Sequence, residues 1–139
     1  MFDRWLIVEN SLRNVISETG YIEGFEFQIR IPYYRGVFLS MIDRITVKAQ
    51  NQTFNDEDIR FTVESGSFML KEMETVGTLR WNFDEAATLK VYKPGGLPSW
   101  SVNATIEVEI GVRPAYVRFN GFCRKVLPLG PEKRLVSQA

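Results

Sequence analysis

The chain has 139 residues, with 17 Lys plus Arg against 17 Asp plus Glu, no histidine and a single cysteine, Cys123. That length makes one ordinary domain with a sizeable core, and zero formal charge gives no footprint for nucleic acid or an anionic membrane. Without histidine, and with one thiol, the chain has no intramolecular disulfide, no Ser-His or Cys-His nucleophile and no histidine metal site.

In chain order, the opening MFDRWLIVEN carries an acid at Asp3 and only a short apolar run before Glu9, unlike a signal peptide. Trp5-Leu6-Ile7-Val8 reads as a short strand. Leu12, Val15 and Ile16 suggest a second, with a kink at Asn10-Ser11. Glu18-Thr19-Gly20 is a turn. Phe25, Phe27, Ile29 and Ile31 then alternate with Glu26, Gln28 and Arg30, the period of a half-buried strand. Gly24 before it suggests a bulge. Pro32 ends the ladder, having no N–H to donate. Tyr33, Tyr34, Arg35 and Gly36 form an aromatic and basic corner, followed by the apolar run 37–42 and a strand at Ile45–Ala49. Asn51-Gln52 is a tight-turn candidate.

Asp56-Glu57-Asp58 is an acidic turn, and Ile59, Phe61 and Val63 alternate as a strand. Ser65-Gly66-Ser67 turns the chain into Phe68-Met69-Leu70. Lys71–Thr75 is too short for a stable helix and reads as a turn. Leu79, Trp81 and Phe83 alternate. Asp84–Ala87 suggests one helical turn before a strand at Thr88–Tyr92. Lys93-Pro94-Gly95-Gly96-Leu97-Pro98 is the strongest loop signal. Val102, Ala104, Ile106, Val108, Ile110 and Val112 form the apolar face of the longest alternating run, which Pro114 ends. Tyr116, Val117 and Phe119 suggest a last strand, and Asn120-Gly121 a type I′ hairpin turn. From about residue 128 the tail is polar and reads as fraying. The fold class expected is all-β, an immunoglobulin-like antiparallel β-sandwich in a single domain.

Few stretches suggest chemistry. Asp56–Asp58 has clustered oxygens for a calcium ion, but without alternation or a bend glycine a solvated turn is the better reading. Glu107 and Glu109 share a strand face, where paired carboxylates do acid–base work or simply keep a sheet soluble. Pro94-Gly95-Gly96 opens no helix and lacks phosphate-loop spacing. Cys123 reads as a small buried hydrophobe. Tyr33-Tyr34-Arg35 fits either a cap on the core or a partner anchor.

Several blocks resemble the small beta subunit of bacterial C-glycoside deglycosidases. They are Met1–Arg4, Leu6–Asn14, Gly24–Phe27, Ile29–Gly36, Leu39–Ile42, Asp58-Ile59, Glu72–Thr75, Arg80-Trp81 and Lys93–Leu97. IPYYRG and KPGGL are the most specific, and the likeness fades beyond about Tyr116. The resemblance implies a non-catalytic subunit of a cytoplasmic lyase whose alpha subunit is a TIM barrel similar to sugar isomerases. That subunit would hold a divalent metal, manganese being the usual assignment, as a Lewis acid. The implied substrate is a 3-keto C-glycoside, for example of a flavonoid. The ketone acidifies the neighbouring C2 proton, and its removal lets the aglycone carbon leave C1, giving aglycone and an anhydro-keto-sugar. No catalytic, cofactor or metal residue is expected in this chain. The expected interface residues are Pro32, Tyr33, Tyr34, Arg35, Lys93, Pro94, Gly95, Gly96 and Leu97. Two other classes fit the residues. One is a stand-alone carbohydrate-binding sandwich stacking sugars on Trp5, Trp81 or Trp100; the other is a structural module with no enzyme partner.

Overall fold

The computed structural model describes residues 5–33, 35–98, 102–114 and 118–135. Twelve strands run β1 Arg13–Ile16, β2 Ile22–Ile29, β3 Val37–Phe38, β4 Ile42–Ala49, β5 Gln52–Thr53, β6 Ile59–Val63, β7 Gly66–Met69, β8 Arg80–Trp81, β9 Ala87–Tyr92, β10 Asn103–Val112, β11 Phe119–Pro128 and β12 Lys133–Arg134. Short 3-10 turns at 39–41, 56–58 and 70–75 join some of them. The fold is all-β. One sheet has the order β12-β1-β2-β9-β6-β7, a second β11-β10-β4-β5, and β3 pairs with β8. Among the described residues all strand pairings are antiparallel except β1–β12.

Both larger sheets feed one apolar core. Phe25, Phe27 and Ile29 of β2 meet Ile106, Val108 and Ile110 of β10 in a single buried cluster. Phe25 sits edge-on to Phe54, which follows β5, with ring centroids 5.5 Å apart. The alternation in the sequence is thus the inward face of each sheet.

Gly24 marks a bulge. Val15 pairs with Gly24 but Ile16 with Ile22, leaving Glu23 as the extra residue. A Cβ on Gly24 would fall on the Val91 carbonyl oxygen of β9, so only glycine lets these backbones close. The β4–β5 turn sits one residue earlier than Asn51-Gln52. Gln50 and Asn51 have φ of 50° and 67°, the pair of positive angles that suits a type I′ hairpin.

Other readings are corrected. Trp5–Val8 is not a strand but touches β2 through one bridge, Ile7 with Ile29. Asn120-Gly121 is not a turn; both lie inside β11, paired with Gly111 and Ile110. The long register of β10 with β11, which carries through to Val112 opposite Phe119, outweighs the local turn preference. Asp84–Ala87 forms no helical turn. Glu85 N–H donates to Asn82 O at 3.0 Å, closing a turn over 82–85, and Ala87 already belongs to β9. Val102 precedes β10 and is exposed rather than inward-facing. Beyond Pro128, the Gly130 amide donates to Leu12 O and the Leu135 amide to Ile16 O, both at 2.9 Å, so residues 130–135 of the tail lie along β1; residues 136–139 are outside the described residues.

Candidate functional site

The two stretches singled out as interface lie at opposite ends of β2. The corner follows its last residue, whereas the Lys93–Leu97 loop bonds to its first. Lys93 N–H donates to Glu23 O at 3.0 Å and Gly95 N–H to Ile22 O at 2.9 Å. An eight-residue strand separates them, about 25 Å. They do not form one compact patch.

The loop is built mainly by the fold. Gly95 and Gly96 have φ of 83° and 61°, left-handed angles that favour glycine. Leu97 is buried, and the Asn14 side chain grips it from both sides: Asn14 Nδ2 donates to Leu97 O at 2.8 Å, and Leu97 N–H donates to Asn14 Oδ1 at 2.9 Å. A Cβ on Gly96 would collide with that Oδ1. Gly96 and Leu97 therefore face inward, while Pro94 and Gly95 are exposed and Lys93 is half-buried. Asn14, one of three buried polar or charged residues with Ser17 and Glu26 among the described residues, was not singled out from the sequence. Nothing in its local context distinguishes it from a strand asparagine.

At the other end, Pro32 and Tyr33 are buried and Arg35 is exposed; Tyr34 lies outside the described residues. Tyr33 packs on Phe119 with ring centroids 4.8 Å apart. A Cβ on Gly121 would come within 2.6 Å of Pro32 Cβ, so the proline ring rests on β11 where the side chain is missing. Gly36 faces β8 and the turn after it: a Cβ there would lie 3.0 Å from Trp81 O and 3.4 Å from Asn82 Cα.

Sequence reasoning missed what gathers around this corner. The Ile7–Ile29 bridge, with Arg30 N–H donating to Leu6 O at 2.7 Å, brings Trp5 beside the exit of β2. Phe83 sits on the 82–85 turn, held by Trp81 Nε1–H donating to Glu85 O at 2.8 Å. Trp5 is 60% exposed, Phe83 57% and Phe119 41%. With Arg35, these exposed residues are the aromatic and cationic rim of this end of the fold. Such residues dominate partner interfaces.

The other candidates fall to structural roles. Trp81 is fully buried, edge-on to Phe61 at 5.2 Å, and so offers no sugar-stacking face. Trp100 lies outside the described residues. Glu107 pairs with Arg124 at 3.3 Å and Glu109 with Arg44, each carboxylate facing a cation from a neighbouring strand. Cys123 is buried opposite Val108. Asp56–Asp58 form one 3-10 turn, and among the described residues no three Cys, Asp or Glu side chains are grouped to hold a metal ion. Nor is any helix among them long and apolar enough to cross a membrane.

The family described as "C-glycoside deglycosidase beta subunit" matches residues 2–116. The chain belongs to that family. The chain is similar to a C-glycoside deglycosidase beta subunit from Eubacterium cellulosolvens (strain ATCC 43171 / JCM 9499 / 6), 35% identical over 95 residues. That match covers 68% of this chain and 65% of the relative, just under two thirds of its length. A second relative, the 3'-dehydrocarminate deglycosidase beta subunit of Microbacterium sp, is 30% identical over 117 residues, covering 82% of this chain and 83% of the relative. The family match ends before β11 begins, so Phe119 comes from outside the matched segment, whereas Trp5, Arg35 and Phe83 lie within it.

Proposed function

We propose that this chain is the non-catalytic beta subunit of a heteromeric C-glycoside deglycosidase, docking and stabilising a larger catalytic subunit through the corner at residues 32–36 and its aromatic rim. The family match over residues 2–116 carries this reading. Among the described residues no metal-holding group occurs, and the chain has no histidine. The proposed division of labour puts the divalent metal, manganese in this reading, and the base in a TIM-barrel alpha subunit. The reaction would be a lyase step on a 3-keto C-glycoside such as a flavonoid derivative. Loss of the C2 proton, acidified by the C3 ketone, would form the C1–C2 double bond of an anhydro-keto-sugar as the bond from C1 to the aglycone carbon breaks, and that carbon would take up a proton to release the aglycone. This chain's part is to hold the barrel, in the cytoplasm, as one immunoglobulin-like sandwich. Lys93, Pro94 and Gly95, at the far end of β2, would reach a different part of the partner or a second barrel.

Co-expression with the barrel tests the docking. Tyr34→Ala with Arg35→Ala should lower complex yield on a sizing column and cut turnover of a 3-keto C-glycoside. Unchanged yield and turnover would remove the corner's role. Trp5, 60% exposed, keeps the glycan-binding module as a second reading. Glycan binding by the isolated chain, lost in Trp5→Ala, would favour it.

A further inference from the structure

A cleft of about 410 Å³ opens between the start of β4 and the 3-10 turns at 56–58 and 70–75. Its floor is apolar: Ile42, Ile45, Met69, Leu70 and Met73. Its rim carries Asp43, Arg44, Asp56, Glu57, Lys71 and Glu74. Two of these charges are already met within the chain. Asp43 accepts from Arg118 at 2.7–2.8 Å, and Arg44 pairs with Glu109. The other four are the carboxylates of Asp56, Glu57 and Glu74 against the single cation Lys71, an excess of two negative charges. Among the described residues none of the four is in an ion pair.

The geometry points to a docking cleft for a basic segment of the partner subunit, one that lays the stem of an arginine or lysine on the methionine and leucine floor and sets its charge among the rim carboxylates. This rests on the docking reading above. An apolar floor under a negative rim is the complement of a long cationic side chain, which has an apolar stem and a charged end. Methionine adapts its shape to such a stem. A bare metal ion would gain nothing from that floor, and the rim carboxylates are not grouped as metal ligands. The cleft also lies where the partner would be. Ile42, at the start of β4, pairs with Val112 of β10, and Val112 pairs with Phe119 of the rim, so the cleft opens at the same end of the second sheet as part of the rim.

The test is barrel binding by the full chain, measured by titration at low and at raised salt. The variant Asp56→Asn/Glu57→Gln/Glu74→Gln removes the rim charge at exposed positions and should leave the fold intact. Its control is Glu18→Gln/Glu64→Gln/Glu132→Gln, which removes the same number of exposed acids outside the cleft lining. The triple variant should bind about tenfold more weakly at low salt, with a flatter salt dependence. The control should behave as wild type. Equal affinity of the triple variant and wild type would overturn the cleft and leave corner docking standing. Equal weakening in the control would also overturn it, since net charge alone would then explain the loss. A wild-type chain that binds no barrel would overturn both readings.

Discussion

Asn14→Ala is the sharpest test of how the Lys93–Leu97 loop is held. The side chain is 1% exposed and joins β1 to a residue 83 positions away through two hydrogen bonds, at 2.8 and 2.9 Å. Alanine removes both and leaves the Leu97 N–H and C=O in a site that water reaches poorly. A net hydrogen bond contributes about 1 kcal/mol, and a buried group left without a partner costs about 1–3 kcal/mol. Some relaxation of the exposed Pro94-Gly95 side is open to the loop, so the loss should be about 3 kcal/mol. That is a large share of a stability of roughly 5–15 kcal/mol. In urea, with a slope of about 2 kcal/mol/M, the midpoint should fall by about 1.5 M with the slope unchanged. Hydrogen exchange at the Leu97 amide should speed up at the same time, reporting the loop and not only global unfolding. A midpoint shift under about 0.4 M, or an unchanged Leu97 amide, would refute the claim that Asn14 holds the loop.

Gly24→Ala should be worse, because the new Cβ meets backbone at Val91 rather than a side chain that can turn away; the expected loss is more than about 3 kcal/mol, read as a chain that is poorly folded at 37 °C by circular dichroism. Glu26→Gln should cost about 1–2 kcal/mol in urea titration, since its carboxylate is 5% exposed and faces Arg13 at 3.2 Å and Lys133 at 3.5 Å. Glu107→Gln should cost less than about 0.5 kcal/mol in the same assay, its partner Arg124 being 63% exposed.

The inward faces were legible because burial imposes a period of two on the sequence. Phe25, Phe27 and Ile29, or Ile106, Val108 and Ile110, announce their strands without help from the rest of the chain. What was not legible depended on distant partners. Asn120-Gly121 has turn chemistry, yet pairing with Gly111 and Ile110 holds it straight. The polar residues Lys133 and Arg134 show no strand pattern; they lie beside β1 because Val15 and Ile16 offer an open edge. The corner reads from its composition as a turn of aromatic and basic residues, but the rim around it has no such local signal. Trp5 and Phe83 arrive there through the Ile7–Ile29 bridge and the Trp81–Glu85 hydrogen bond, contacts that no local pattern encodes. The KPGGL loop reads as a loop from its proline and glycines, whereas the grip of Asn14 on Leu97 that holds it depends on a residue 83 positions away.

The order in which the strands find neighbours bears on biosynthesis. β2 waits for β9, β4 waits for β10, and β1 gains its outer neighbour only with Lys133 and Arg134. A ribosome that has made the first 85 residues has therefore released strands whose edges have no mate yet. Such a nascent chain depends on rapid completion or on chaperones, and truncated products ending before β9 will clump rather than fold.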